Sequence, residues 1–273
     1  MVGLKFQFLS RQMAKFRQTP IARLPLSTTN DRATQISRLA SHKARSHYKL
    51  AETRLERAGA FGLTYRKYVT ASLIEPNLHR MRVTPFHLLP STHVFIATHK
   101  GQLTCTVTLV GDGEKGLPME CVYGDEVDRK RAEGFSLAEV SCLAFEPCTS
   151  KRVFWTAFLQ LNRLMAQFAR HVGIDGLLIA INPRHVHVYR RMMGFEQIGT
   201  LRSYPSVRNR PAVACWLDFA KVDSERPPCY EPIFGQPIPA WQLHSKPISV
   251  EERRHFDPVS QDAGPWLPLA AAC

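Results

Sequence analysis

The sequence predicts an α/β (α+β) layered domain, a mixed sheet with helices on its faces. Three observations carry this: apolar runs of strand length, helix-length stretches between some of them, and a hairpin signal between others. In order, HYKLAE (47–52) reads as a strand and Arg54 to Val69 as a helix. THVFIATHK and QLTCTVTLV form a hairpin turning at Lys100-Gly101. A helical stretch around Val122 to Glu133 precedes FSLAEVSCLAF (135–145) as a strand. Val153 to Val172 carries apolar residues at spacings of three and four, the pattern of a long helix. IDGLLIAI (174–181) is a strand, a short helix follows Pro183 and ends at Gly194-Phe195, and a second apolar strand comes next. AVACWLDF (212–219) is the last strand.

Composition sets the limits. A chain of 273 residues, 44% hydrophobic, suffices for one large domain or two small ones with a sizeable core. No run approaches the roughly 20 apolar residues of a membrane span, and Lys5, Arg11, Lys15 and Arg17 interrupt any secretory signal, so a cytoplasmic protein is expected. The seven cysteines form an odd set without a CxxC pair, which argues for reduced thiols rather than disulfides or a zinc site. Residues 1–45 hold nine Lys or Arg against Asp31, a net +8 of the total +13, leaving +5 for the rest. This basic extension reads either as a solvated tail or, with Phe6, Phe8, Leu9, Met13 and Phe16 among the cations, as a basic amphipathic helix at a membrane surface. The second reading favours peripheral membrane contact over nucleic acid; an Arg-rich transit peptide is a minor alternative. Residues 221–273 hold nine of the nineteen prolines and read as a Pro-rich tail or wrapping arm with little regular structure.

The most informative segment is NPRHVHVYRRMMGFEQIG, Asn182 to Gly199. Its Asn, the Tyr seven residues on and the Gly-Phe five later resemble the acyl-donor helix of the GCN5-related N-acetyltransferase (GNAT) superfamily. The fuller string, with YPSVRNRPAVACWLDF near the end of the domain, resembles the long-chain N-acyl amino acid synthases of the FeeM type, relatives of the acyl-homoserine-lactone synthases. The resemblance covers residues 46–220. It implies a mostly antiparallel mixed sheet splayed between the fourth and fifth strands. It implies no permanently bound cofactor: the co-substrate is the acyl-phosphopantetheine of an acyl carrier protein, or acyl-CoA, and the acceptor a small amine.

Glu139 is the first candidate. On a regular strand it shares a face with Phe135, Leu137, Ser141 and Leu143, and its other neighbours are small or apolar. Poor hydration raises a carboxyl pKa and makes a base effective near neutrality. The residue alone reads as well as a hydrated or paired Glu; the resemblance implies the group that deprotonates the attacking amine. Tyr189 reads as a helix tyrosine packed on the sheet or, through the resemblance, as the phenol that protonates the departing thiolate. Asn182 suits a helix cap, and the resemblance places it beside the pantetheine amides. Arg184 and His185 face either a donor phosphate or solvent. His185 and His187 have no further ligands close in sequence, so no metal is expected.

EPCTSKRVFW (146–155) contains no glycine where coenzyme-A-dependent relatives carry a Gly-rich pyrophosphate loop. Lys151 and Arg152 place positive charge at the first turn of the helix that follows. A basic threshold of this kind suits the single phosphate of an acidic acyl carrier protein's arm. Phe154, Trp155, Phe158, Leu161 and Met165 are spaced to line an acyl tunnel or an ordinary core. Arg202, Arg208 and Arg210 beside Tyr204-Pro205 suit an acceptor carboxylate or solvent. Backbone amides near Ser141, Cys142 and Leu143 would steady the tetrahedral oxyanion. Nucleophilic catalysis by Cys142 would need a nearby cation or His to form the thiolate, and none is adjacent in sequence. The sequence thus predicts an N-acyltransferase moving a medium or long acyl chain to an amino acid or similar acceptor by direct attack. The alternatives are an acyl-homoserine-lactone synthase and a non-catalytic acyl or carrier-protein binding module.

Overall fold

The β-branched and aromatic residues of THVFIATH and QLTCTVTLVG build a hairpin of strands β2 (Thr92–His99) and β3 (Gln102–Gly111). The turn residues Lys100 and Gly101 both adopt positive φ, 52° and 75°. Turns of that kind match the twist of the strands they join. The computed structural model describes residues 46–146 and 151–261, apart from the side chains of Lys151, Arg152 and Gln261. Strand β1 (Ser46–Leu50) pairs antiparallel with β2, and β4 (Leu137–Phe145) pairs antiparallel with β3. Strand β5 (Gly176–Ile181) runs parallel to β4. The short strands β6 (Glu196–Gln197) and β7 (Arg202–Tyr204) both pair with β8 (Arg210–Asp218), which lies antiparallel beside β5. The eight-stranded sheet has the order β1-β2-β3-β4-β5-β8-β6, with β7 also on β8.

Helices cover both faces. On one lie α1 (Arg54–Thr70), α2 (Glu120–Ala132) and α7 (Val250–Gln261), over Val94, Ile96, Val110, Leu178 and Trp216. On the other lie α3 (Lys151–His171), α4 (Pro183–Met193), α5 (Phe219–Glu225) and α6 (Tyr230–Phe234), over Leu109, Ala138, Leu177, Ile179 and Leu217. Helix α1 opens with a capping box in which Thr53 and Glu56 satisfy each other's backbone N–H groups. Helix α4 begins at the Asn182 cap and Pro183 and stops at Gly194, whose φ of 87° suits a residue without Cβ.

Two irregularities shape the middle of the sheet. Strand β4 pairs with β5 only through Leu137, Ala138 and Glu139 against Gly176, Leu177 and Leu178. Beyond Glu139 the strands part, which is the expected splay. On its other edge β4 continues along β3, but Cys142 and Leu143 together oppose Val107, and Cys142 takes φ 53°. This is a β-bulge, which bends a strand and re-aims its groups.

The proline count of residues 221–273 argued against regular structure, and the described part corrects that expectation. Prolines 227, 228, 232, 237, 239 and 247 occupy helix starts and connections, and α5, α6 and α7 form among them. Helix α7 is part of the core: Phe256 is fully buried and meets Phe61 of α1 edge to face at 5.2 Å. The buried Arg57 guanidinium donates to the Glu252 carboxylate at 2.6 Å and to the Lys246 carbonyl at 2.6 Å. Phe256→Ala should therefore lower the free energy of unfolding by about 3–5 kcal/mol in urea titrations, since it leaves a core cavity. A change below about 1 kcal/mol would mean that α7 only rests on the surface.

Candidate active site

Glu139 is the last residue of β4 that pairs with β5, so its carboxyl stands at the apex of the splay. Val110 lies opposite on β3 and Leu178 beside it on β5, and the residue is 3% exposed. The backbone N–H of Met119 donates to Oε2 at 2.7 Å. Burial pushes the carboxyl pKa up to about 8, far above its ordinary 4.5; the Met119 N–H lowers it and the nearby Glu120 raises it further. Desolvation dominates because a buried carboxylate has lost water and the Met119 amide replaces only part of it.

A cavity of about 580 Å³ opens around this carboxyl and passes between the parted strands from one face of the sheet to the other. On the α1 side its walls carry the polar groups of Tyr68, Arg82, Thr84, His87, Tyr204 and Arg210 among apolar residues such as Leu73, Val110 and Ala212. On the α3 side they are mainly apolar, including Met165, Leu177, Ile179, Met193, Phe195 and Leu217. Glu139 sits where the two limbs meet.

The polar limb is held by a hydrogen-bond network. The Thr84 backbone N–H donates to His87 Nδ1 at 2.9 Å, which leaves the proton on Nε2, 3.4 Å from Thr108 Oγ1. Burial lowers the His87 pKa to about 3, helped by the charge of Arg82. The imidazole is therefore neutral and serves as a fixed wall. Arg82 donates to the Ser206 carbonyl at 3.1 Å and stacks over Tyr68, 4.9 Å from the ring centre. Burial raises the phenol pKa values of Tyr68 and Tyr204, and the Glu139 carboxyl adds to both shifts, so both hydroxyls remain donors.

Most of the residues singled out in the sequence converge here. Glu139, Ser141, Cys142, Leu143, Asn182, Arg184, His185, Tyr189 and Tyr204 all line the cavity. Asn182 caps α4, its Oδ1 accepting from the Arg184 N–H at 3.2 Å. His185 is buried, and burial together with Arg184 lowers its pKa to about 4. Tyr189 packs edge to face on Phe195 at 5.7 Å, and burial pushes its pKa up to about 12. The Ser141 hydroxyl lies 3.6 Å from the Cys142 sulfur.

Others lie elsewhere. Phe154 packs on Phe145 at 4.7 Å, inside an aromatic cluster with Trp155 and Phe158; of that helix stripe Met165 reaches the cavity. Arg202 is turned to the Glu126 carboxylate at 2.8 Å and lies over the Tyr123 ring. Arg208 is exposed and meets Glu75 at 3.0 Å. Residues 147–150, the side chains of Lys151 and Arg152, and the basic extension 1–45 lie outside the described residues. Tyr68, Arg82, Thr84 and His87 were not singled out beforehand. Phe61, Thr64 and Tyr68 at helical spacing did carry a signal, since Phe61 and Thr64 are buried and Tyr68 continues their face of α1 half-buried.

A mixed sheet parted beside a buried carboxyl, with a cavity threaded through the gap, belongs to the GNAT fold, and the protein is an N-acyltransferase. The model of the N-acyl amino acid synthase FeeM family matches residues 59–218, and the chain belongs to that family. The solved structure of FeeM, an N-acyl amino acid synthase from uncultured soil microbes, is similar at 29% identity and TM-score 0.56, covering 66% of this chain and 94% of that one. The acyl-homoserine-lactone synthase LasI shares the fold at 12% identity and TM-score 0.55, over 72% of this chain and 98% of that one. No curated protein matches the chain. The family implies an acyl-donor co-substrate rather than a resident cofactor. Among the described residues no helix is long and apolar enough to cross a membrane.

The Glu139 shift has a consequence for stability. Between its ordinary 4.5 and about 8 the unfolded chain releases this proton and the folded chain keeps it, so the fold loses stability as pH rises through that window. Glu139→Gln removes the loss. Its stability relative to the parent should rise by roughly 3 kcal/mol between pH 5 and pH 8 in denaturant titrations. A pH-independent difference would mean that Glu139 is ionised throughout.

Proposed function

We propose that the protein transfers a medium or long acyl chain from the thioester of an acidic acyl carrier protein to the amine of an amino acid or a similar small acceptor, with Glu139 as the base. The observation that carries this is the position of one buried carboxyl between an apolar and a polar limb of one cavity. The apolar limb suits an acyl chain. The polar limb, with Arg82, Arg210 and Tyr204 on its wall, suits an amine that carries a carboxylate. This moves the acceptor contact from Arg202 and Arg208, which face carboxylates of the protein, to Arg82 and Arg210.

Glu139 takes a proton from the ammonium, directly or through a water. The freed amine attacks the thioester carbonyl, and backbone amides near the bulge at Ser141, Cys142 and Leu143 face the developing oxyanion. The carbon–sulfur bond breaks as the amide forms. Tyr189, whose phenol holds its proton up to about pH 12, gives it to the sulfur as the carbon–sulfur bond breaks; the second N–H proton of the former ammonium restores the phenol and Glu139 releases its proton to solvent, leaving an N-acyl product and a carrier thiol. No covalent enzyme intermediate is needed. A carrier protein rather than free coenzyme A is favoured by the net +5 outside residues 1–45, by Arg184 on the cavity wall and by His187, Arg190 and Arg191, exposed further along α4.

Incubation of the purified chain with an acyl carrier protein thioester and an amino-acid mixture should yield N-acyl amino acids by mass spectrometry. Acyl lactones, or no acylated acceptor, would overturn the reading. Because Glu139 must be ionised, turnover should rise with pH and level off above about 8. Glu139→Gln should lose at least about a hundredfold and flatten that limb. Tyr189→Phe should slow turnover by about a hundredfold while leaving the pH limb in place; full activity in that variant would remove Tyr189 from the thiolate step.

A further inference from the structure

The apolar limb is closed at its far end by residues that lie beyond the family match. The match stops at residue 218, yet Pro227, Cys229, Tyr230, Ile233 and Phe234 line the same cavity as Glu139. Cys229 and Ile233 are each 4% exposed. Burial among apolar groups pushes the Cys229 thiol up to about 11, so at neutral pH it is an uncharged wall atom.

This floor is fixed to the helices beside the limb. The Cys229 N–H donates to the Met192 carbonyl at the end of α4 at 2.9 Å. From α3, the Gln167 side-chain amide donates to the Ile233 and Gln236 carbonyls at 2.6 and 2.9 Å, and its carbonyl accepts from the Ile238 N–H at 2.7 Å. Arg163 adds a bond to the Gln236 carbonyl at 2.9 Å. The guanidinium of Arg170 lies over Phe234, 4.0 Å from the ring centre. A floor held on two sides cannot recede as a longer chain enters, so it limits length rather than adapting to it.

We infer that Cys229 and Ile233, on the segment that follows the family-matched residues, set the length of the acyl chain this protein accepts. The inference rests on the proposed function for the chemical class of the occupant. The limb belongs to one cavity of about 580 Å³, within the usual range for small-molecule sites, so its length is set by where its end wall stands. Each methylene buried contributes about a fourfold gain in binding, and one that meets the floor forfeits that gain.

The test uses the full chain and two opposite changes: Ile233→Ala deepens the limb, and Cys229→Met shortens it. Two readouts are taken with even-numbered acyl chains of graded length. One is turnover of acyl carrier protein thioesters. The other is the rise in melting temperature produced by free fatty acids, which needs no chemistry. The expected result is that the preferred length grows by about two carbons in Ile233→Ala and falls by about two in Cys229→Met, with the disfavoured neighbour losing roughly tenfold. Folded variants with the parent's length profile in both readouts would overturn the inference. If the parent binds fatty acids and the optimum moves, but no thioester turns over, the proposed function fails and the floor stands. Should Ile233→Ala not fold, Ile233→Val is read in its place, with a smaller shift in the same direction expected and an unchanged profile counting against the inference.

Discussion

The early end of the β4–β5 ladder is the constraint from which the site follows. Two parallel strands that pair through Leu137, Ala138 and Glu139 and then separate leave a gap in the middle of a sheet that is otherwise covered on both faces. Buried backbone left without ladder partners is costly. The bulge at Cys142 is the local adjustment, since it bends β4 along β3 while one residue sits in the left-handed region. Non-glycine residues in that region cost of order 1–3 kcal/mol and persist only where the surroundings impose them. The hairpin of β2 and β3 on one side, and β8 against β5 on the other, keep the gap open.

Glu139 sets a buried carboxyl in that gap at the expense of stability. Most buried carboxyls are paired with a cation or accept several hydrogen bonds. Among the described residues this one accepts a single amide, from Met119, and it has Glu120 nearby. The protein retains a group that favours the unfolded chain at neutral pH, and the packing of α1 with α7 and of α3 with α6 offsets it. His87 in the same limb shows the opposite solution. Its ring is neutral, and both nitrogens have a partner, so it contributes shape without charge.

How much was legible depended on whether a residue's role is local. Most strands and helices from Ser46 to Asp218 lie within a few residues of their apolar runs, because the periodicity that forms them is what the core buries; the apolar strand expected after Gly194-Phe195 is corrected to the exposed two-residue pair Glu196–Gln197. Asn182, Tyr189 and the Gly194 stop belong to one short helix with its own caps, and they could be read together. Glu139 was visible because its strand is otherwise apolar. Arg82 and His87 were not, because RVTPFH has no periodicity and acquires meaning only when α1 folds over β3. The three loop arginines shared one composition and separated in space, with Arg202 and Arg208 going to Glu126 and Glu75 while Arg210 went to the cavity. The prolines of 221–261 misled for a physical reason. Proline is costly in a helix interior but suits the first turn and the approach to it, where Pro227, Pro228 and Pro232 sit for α6, while Pro258 lies inside α7.

The Arg57–Glu252 pair joins positions 195 residues apart, and Phe256 covers Phe61 across a similar separation. During synthesis, α1 and the outer face of β2 leave the ribosome long before α7 exists. Their apolar surface has no native cover until nearly the whole described chain has been made. Long-range closure of this kind slows folding and prolongs the exposure of sticky surface. Completion of the fold is therefore tied to α7, and a chain that stops before residue 250 would lack the lid on α1.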